Sequence, residues 1–368
     1  MMNINDYKSL REAFHAHEIP CELCGYSELK TLQYRGRIRQ AGEYGPVPIS
    51  ICTRCGFTFQ NPRFEDSFYK EYYKHIYREV AFGSSKPSEE YIETQSVRGA
   101  NVLAYLQRYI SEPGIMLDHG CASGATMIPF RDSGWLAIGI DPHEPSVETG
   151  ISQLGLDIRV GGGESLPFES SYFDVIVSLG SLEHVYKFSK SMAEIRRVLK
   201  DNGLIFIRWR SNFLWGSPYE YYNHNHYRFF TPKTWRLALE SFGFSVVETT
   251  FEEIEGNTGA AYTIARKLSG GMVKVQDLVA DRMSDDAQKV IDDLNAYKRD
   301  FSIRCREFIE FVDSVERDPV AVKQGVDGGS VNYKLLLGDP VWTVPRAILE
   351  AERYEAEFQK DPCANRQV

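Results

Sequence analysis

The chain has 368 residues, carries 51 acidic against 42 basic side chains for a net charge of −9, and is 43% hydrophobic. This is enough length for two or three domains of ordinary soluble composition, and the acidic balance disfavours a broad nucleic-acid footprint, which needs a basic face. No stretch approaches the length of a membrane-spanning helix and the first residues lack an apolar signal core, so a cytoplasmic protein is expected.

Seven cysteines in a chain of this length do not make a disulfide framework. Four of them form two knuckles, Cys21-x-x-Cys24-Gly25 and Cys52-x-x-Cys55-Gly56. Two intervening residues let one tight turn present both sulfurs to a tetrahedral metal, and the following glycine permits the positive backbone dihedral such a knuckle needs. Two knuckles make a closed four-sulfur site, so structural Zn2+ on Cys21, Cys24, Cys52 and Cys55 is expected; paired disulfides or a redox CxxC are the alternative. Leu32 to Ile51 should supply the strands of a small zinc ribbon, residues 1–63, that depends on the metal to fold. Residues 64–110 read as a helical connector whose Tyr69, Tyr72, Tyr73 and Tyr77 form either a buried face or, with Arg98, a lid over a ligand site.

A short apolar run from Ile115 ends at Asp118 and is followed by His119-Gly120-Cys121-Ala122-Ser123-Gly124; a second run, Leu136 to Ile140, ends at Asp141. This is the grammar of a Rossmann-like sheet holding an adenosine-containing cofactor at its strand ends. A dinucleotide loop needs G-x-G-x-x-G, but Ala122 and Ala125 occupy the second and third glycine positions, and Asp118 would repel a pyrophosphate. A cationic cofactor bearing an amino acid suits that carboxylate better.

The segment resembles motif I of the class I S-adenosylmethionine (SAM) methyltransferases, "LDxGCGxG", with Ala122 at the middle glycine. The resemblance implies that Asp118, Gly120 and Gly124 line the methionine end, with Cys121 as a small apolar neighbour, and that Asp141 holds the ribose hydroxyls through both carboxylate oxygens. Gly163-Glu164-Ser165-Leu166-Pro167-Phe168, then Tyr172 to Ser178, then Leu182-Glu183-His184-Val185, resemble the family's adenine loop and fourth strand, which implies cofactor contacts for Gly163, Glu164 and Leu179. The acid that commonly meets the adenine amino group falls on Gly162, leaving Glu164 or backbone for that role. The match spans residues 100 to 268. It implies an α/β fold in residues 111–268, with a Rossmann-like seven-stranded methyltransferase sheet in the order 3-2-1-4-5-7-6. Within it Met192 to Leu199 is helical, Asp201-Asn202-Gly203 a turn and Leu204 to Trp209 the fifth strand. Phe244 to Phe251 and Tyr262 to Lys267 are the sixth strand and the antiparallel seventh.

The order of ribbon, Asn61-Pro62-Arg63, tyrosine-rich stretch and SAM domain resembles a bacterial group of zinc-ribbon methyltransferases linked to sugar and surface-polysaccharide biosynthesis. The loop after the fifth strand carries Arg210, Asn212, Trp215, Tyr219, Tyr221, Tyr222, His224, Asn225, His226 and Tyr227, and so many aromatic and hydrogen-bonding groups suit a carbohydrate. His224 or His226 could take a hydroxyl proton as the methyl group transfers, with His184 as a third candidate base; the plainer alternative is that these imidazoles brace the turn before Thr231, which caps the next helix. Zinc-containing sugar C-methyltransferases carry an "HEH"-like element here. Asn225 stands at the glutamate position, so oxygen methylation is expected over carbon methylation. Arg208 and Arg210 could hold the diphosphate of a nucleotide-linked sugar.

Residues 269–368 read as a helical C-terminal region. Ala287, Val290, Leu294, Tyr297, Phe301, Cys305, Phe308, Val312 and Val315 follow three- and four-residue steps, giving an amphipathic helix over 283–315 that packs back onto the protein or forms a homodimer stem. A glycine-rich loop at Gly325 to Ser330 and a last helix from Pro345 to Phe358 follow. The expected activity is SAM-dependent methyl transfer to a sugar, nucleotide-linked or part of a surface glycan. The rivals are an RNA base methyltransferase and a non-catalytic SAM-binding protein that recruits partners.

Overall fold

The computed structural model describes residues 14–38, 43–73, 76, 86–210, 224–252, 254, 260–272 and 287–296. Asn212, Trp215, Tyr219, Tyr221, Tyr222 and Tyr77, the seam beyond 296, the loop 325–330 and the last helix lie outside the described residues. The N-terminal part is a small antiparallel unit. β1 (Ala16–His17) pairs with β5 (Arg63–Phe64), and β2 (Leu29–Ile38), β3 (Glu43–Cys52) and β4 (Thr58–Gln60) form a meander. A fourth strand joins this sheet beside β4 from far along the chain.

Helix α1 (Asp66–Tyr72) buries Phe68, Tyr69 and Tyr72. Helix α2 (Glu89–Leu106) starts where Ser88 accepts a hydrogen bond from the Tyr91 amide and Glu89 and Glu90 face the positive end of the helix dipole. It packs on the sheet through Val102, Leu103, Tyr105 and Leu106.

The central sheet contains β6 (Ile115–His119), β7 (Leu136–Asp141), β8 (Asp157–Val160), β9 (Phe173–Leu179), β10 (Leu199–Arg210), β12 (Phe244–Thr250) and β13 (Ala260–Lys267). The apolar runs of β6, β7 and β9 are buried on both faces, as parallel strands covered by helices must be. The sheet runs β8-β7-β6-β9-β10-β13-β12. Numbering only these seven strands along the chain gives 3-2-1-4-5-7-6, with β13 antiparallel to both neighbours. Helices α3 (Ile128–Asp132), α4 (Glu144–Leu154), α5 (Phe188–Val198) and α6 (Pro232–Ser241) cover the faces; the last begins in a Thr231–Thr234 capping box with Pro232 in its first turn.

One local expectation fails. Asp201-Asn202-Gly203 is not a turn ahead of a strand but lies inside β10, which starts at Leu199. Pairing with β9 shifts between Leu199 and Leu204, and Asn202 takes φ +61° there, so the extra residues form a bulge.

The ribbon does not keep a core of its own. Cys21, Cys24, Cys52, Cys55, Phe57 and Phe59 share one apolar cluster with α5, α6 and one face of the central sheet. Phe57 meets Phe230 at 5.0 Å between ring centroids, and Phe230 stacks on Trp235 of α6 at 3.9 Å. On the other side of the ribbon, Ala287, Ile291 and Leu294 of the helical segment 287–296 are buried with Ile49, Ile51 and the α1 aromatics. The described part of the 283–315 stretch thus packs back onto the protein. Among the described residues no helix is long and apolar enough to cross a membrane.

Candidate functional site

The turn after β6 is built for close backbone approach. Gly120 has φ +79°, and a Cβ there would stand 2.5 Å from the Ser181 Cβ. Gly120 and Cys121 both donate from their amides to the Ile140 carbonyl, tying the turn to β7. Ala122 takes φ +51°, a left-handed conformation that costs an L-residue ~1–2 kcal/mol. Asp118 is 1% exposed and accepts from the Thr126 hydroxyl at 2.8 Å, bracing the turn from beneath. Cys121 is buried with its Sγ under Gly139. Gly124, at φ +72°, closes the turn under the Ile158 and Met127 side chains.

Asp141, at the end of β7, accepts from the Ala122 amide through Oδ2 and from the His143 amide through Oδ1, each at 2.8 Å. Both oxygens are thereby fixed in place, and each keeps further lone-pair capacity for a hydroxyl donor. Glu164 is engaged differently: its Oε1 accepts from the Lys187 amide at 2.8 Å and caps the start of α5. Among the described residues nothing lies within 4 Å of a Cβ built on Gly162, so no described side chain fills that position. Leu179 is half-buried at the carboxyl end of β9.

His119 belongs to the site although no sequence motif singles it out. Its ring is 2% exposed, with Nδ1 3.1 Å from the Ser181 Oγ, and that hydroxyl already donates to the His119 carbonyl at 2.8 Å. Nδ1 therefore carries the proton and Nε2 the lone pair. Nε2 abuts Gly163, where a Cβ would lie 2.1 Å away, which gives that glycine its reason. Desolvation by burial pushes the imidazole pKa down to about 4. The signal was a histidine ending an apolar run directly after Asp118, with a run of three glycines at Gly161 to Gly163 later in the chain.

The turn after β9 joins this cofactor turn to a second cluster. Ser181 touches Gly120 and His119, and Glu183 and His184 follow within three residues. A carboxylate oxygen of Glu183 and one nitrogen each of His184 and His226 lie within 4.8 Å of one another. His184 and His226 meet edge to face at 4.6 Å between ring centroids. The His184 Nδ1 lies 2.8 Å from the Asn225 carbonyl and 2.8 Å from the Tyr73 hydroxyl, which itself donates to that carbonyl at 3.1 Å. Since the carbonyl only accepts, Nδ1 is the protonated nitrogen and Nε2 keeps its lone pair. The Tyr72 hydroxyl donates to the Asn225 side-chain oxygen at 2.8 Å. Two connector tyrosines thus hold the His-Asn-His element, although Tyr69 and Tyr72 are also a buried helix face. His224 stands apart from the other two, with its ring against Tyr72 at 4.8 Å between centroids. Arg208 and Arg210 end β10, and Arg210 lines a small cavity with Glu183, His226, Arg228 and Trp209.

The cysteines form the third element. Sγ of Cys21 lies 3.5 Å from that of Cys55, and Cys24 and Cys52 are 3.6 Å apart; all four are buried and mutually within 4.8 Å. Disulfides would bring sulfurs to ~2 Å, whereas a tetrahedron of sulfurs at about 2.3 Å from zinc has edges near 3.8 Å. Each knuckle closes as its glycine requires: Gly25 and Gly56, at φ +73° and +70°, donate to the Cys21 and Cys52 carbonyls.

Glu22, inside the first knuckle, is the other residue not foreseen. Arg63 grips its carboxylate with both guanidinium nitrogens, at 2.9 and 2.7 Å, and Arg228 adds a third bond at 2.6 Å. Arg63 and Arg228 are 2% and 0% exposed. Arg228 also donates to the Val185 and Tyr186 carbonyls, just past His184, and Arg63 to the Tyr227 carbonyl, just past His226. The strand β11 (Arg228–Phe229) pairs with β4 as the fourth strand of the ribbon sheet, and Gln60 of β4 donates to the His226 carbonyl at 2.7 Å. The ribbon and the histidine cluster are one mechanical unit.

Residues 91–249 match the family described as "Methyltransferase domain". The chain is 28% identical over 174 residues to a sterol 4-C-methyltransferase of Caenorhabditis elegans, covering 42% of this chain and 51% of that protein. It is 28% identical over 97 residues to a ubiquinone biosynthesis O-methyltransferase of Bartonella quintana, covering 25% and 39% respectively. A solved SAM-dependent methyltransferase of Methanosarcina mazei is 21% identical with a TM-score of 0.39, covering 45% of this chain and 97% of that one. The chain spans about half or less of the length of these curated relatives. The family match over residues 91–249 and the order of the seven-stranded sheet support a SAM-dependent methyltransferase domain there.

Proposed function

We propose that the chain transfers the methyl group of SAM to a hydroxyl of a sugar, nucleotide-linked or part of a surface glycan. The observation that carries the transfer is the adjacency of the two sites: Ser181 lies against Gly120 of the cofactor turn, and Glu183, His184 and His226 cluster just beyond it. SAM supplies an electrophilic methyl group on a sulfonium. Asp141, fixed by two amides, is the group for the ribose hydroxyls, and the Gly120–Gly124 turn for the methionine end. The acceptor hydroxyl attacks the methyl carbon in line, a C–O bond forms as the C–S bond breaks, and the hydroxyl proton passes to an imidazole of the cluster. Positioning and exclusion of water supply much of the rate of such a displacement. The sugar rests on the resemblance to zinc-ribbon sugar methyltransferases and on the polar character of the cluster, with Arg208 and Arg210 at hand for an anionic group.

Cys21, Cys24, Cys52 and Cys55 would hold a structural zinc with no open position, consistent with their spacing and burial. Its contribution is to fix the knuckle that carries Glu22.

Incubation with SAM labelled in its methyl group and a mixture of sugar nucleotides tests the reading. Label should enter a sugar product, and His226→Ala should slow transfer by roughly 100-fold or more, the scale of general-base catalysis. Bound SAM with no labelled sugar from the wild type would leave a binding protein instead, and label entering RNA would make the substrate RNA.

A further inference from the structure

Glu183 is 5% exposed, and its Oε2 is buried with no hydrogen-bond partner among the described residues. A buried carboxylate oxygen left unsatisfied is costly and calls for an explanation in function or in a missing partner. Resting on the methyl-transfer reading above, we propose that Glu183 is a positioning residue that makes the His184–His226 pair a competent proton acceptor. The groups around it are Arg208 and Arg210 from β10, Arg228 from β11, His226 just before that strand, and His184 of its own turn, which Tyr73 meets at Nδ1.

The geometry gives the carboxylate a task that arises only during the reaction. His184 presents a lone pair at Nε2, because the Asn225 carbonyl fixes the proton on Nδ1. When the acceptor hydroxyl forms its bond to the methyl carbon and the C–S bond breaks, the hydroxyl proton moves to an imidazole nitrogen. The ring becomes an imidazolium, and Glu183, with one carboxylate oxygen within 4.8 Å of a nitrogen of each ring, gains a cation beside it. An interaction that strengthens as charge develops accelerates the step and leaves binding of the resting substrate little changed. Burial pushes the Glu183 carboxyl upward while Arg208 and Arg210 pull it back toward the ionised form. Two arginines beside the carboxylate also make this a poor home for a divalent cation, the other use of two histidines and an acid.

The test follows the histidine rings of the full chain by NMR through a pH titration, with S-adenosylhomocysteine added to saturation and with His184→Gln and His226→Gln assigning the signals. In Glu183→Gln the cluster imidazole should titrate about one pH unit lower, a tenfold loss of proton affinity, with an unchanged melting temperature. Glu183→Asp should restore most of the shift, and Glu183→Ala, which also lacks the carboxylate and should show the same drop, carries the test if the amide variant does not fold. An unchanged titration in the variants that lack the carboxylate overturns the proposal, as does selective broadening of these rings by added Mn2+ in the wild type but not in Glu183→Gln. Failure of S-adenosylhomocysteine to bind would overturn the methyltransferase reading instead, while the rings of the free chain would still judge Glu183.

Discussion

Replacing Glu22 by alanine removes one carboxylate and strands two guanidinium groups. Arg63 and Arg228 lose the three charge-assisted hydrogen bonds they make to it, of 2.6 to 2.9 Å, in surroundings where their side chains are 2% and 0% exposed. Breaking a buried ion pair by deleting one partner costs ~3–5 kcal/mol, because the remaining charge stays buried. Glu22 itself is 19% exposed, so water partly replaces it and the low end, about 3 kcal/mol, is expected. At roughly 2–4 °C per kcal/mol for a domain of this size, the melting temperature should fall by about 6–12 °C. Glu22→Gln, which keeps one acceptor oxygen but presents an amide to the second arginine, should fall in between. Circular dichroism melts of the three proteins measure the drop, and calorimetry should show S-adenosylhomocysteine binding within a factor of three of wild type, since the cofactor turn is braced by Asp118, Thr126 and Asp141. A melting temperature within 1 °C of wild type for Glu22→Ala would refute the clamp.

Removing the metal should act along the same route. One zinc per chain should be released by a thiol reagent or chelator, with loss of methyl transfer and a lower melting temperature, because the knuckle carrying Glu22 loses its fixed geometry; full activity of metal-free protein, with the metal content checked by atomic emission, would contradict the coupling. His119 makes stability depend on pH. Its folded pKa of about 4 lies below the unfolded value of 6.5, so the unfolded chain binds the extra proton first as pH falls. Its contribution is intact above pH 6.5 and is lost between there and about pH 4, up to roughly 3 kcal/mol. His119→Leu should flatten urea-unfolding stability over that window; an unchanged slope would argue against a neutral buried imidazole.

Much of the fold is legible in the sequence because its signals are local. The apolar runs ending at Asp118 and Asp141, the two knuckles with their glycines and the Thr231 cap each specify backbone geometry within a few residues. The bulge at Asn202 was less readable: Asp-Asn-Gly has the composition of a turn, and only pairing with β9 and β13 keeps it in a strand. The site was legible in parts. His184 and His226 were picked out separately, but their meeting depends on β11 joining the ribbon sheet, a contact spanning about 170 residues that no local pattern announces. Asn225, read as a lost carboxylate, has a carbonyl that sets the His184 tautomer, and a carboxylate reaches the cluster from Glu183 instead. Glu22 was hidden because a residue between two metal-ligating cysteines reads as spacer until its partners, Arg63 and Arg228, fold against it.

The central claim is that the turn between β6 and its following helix, with Asp141 across from it, is a SAM site. Isothermal titration of SAM into the full-length wild type and Asp141→Ala tests it most directly. Losing the paired carboxylate should weaken binding by ~1–3 kcal/mol, roughly 5- to 150-fold, in a variant that circular dichroism shows to be folded at the titration temperature, though it melts lower because the Ala122 and His143 amides lose their acceptor. Equal affinity for the two proteins, or no binding to the wild type, would contradict the account.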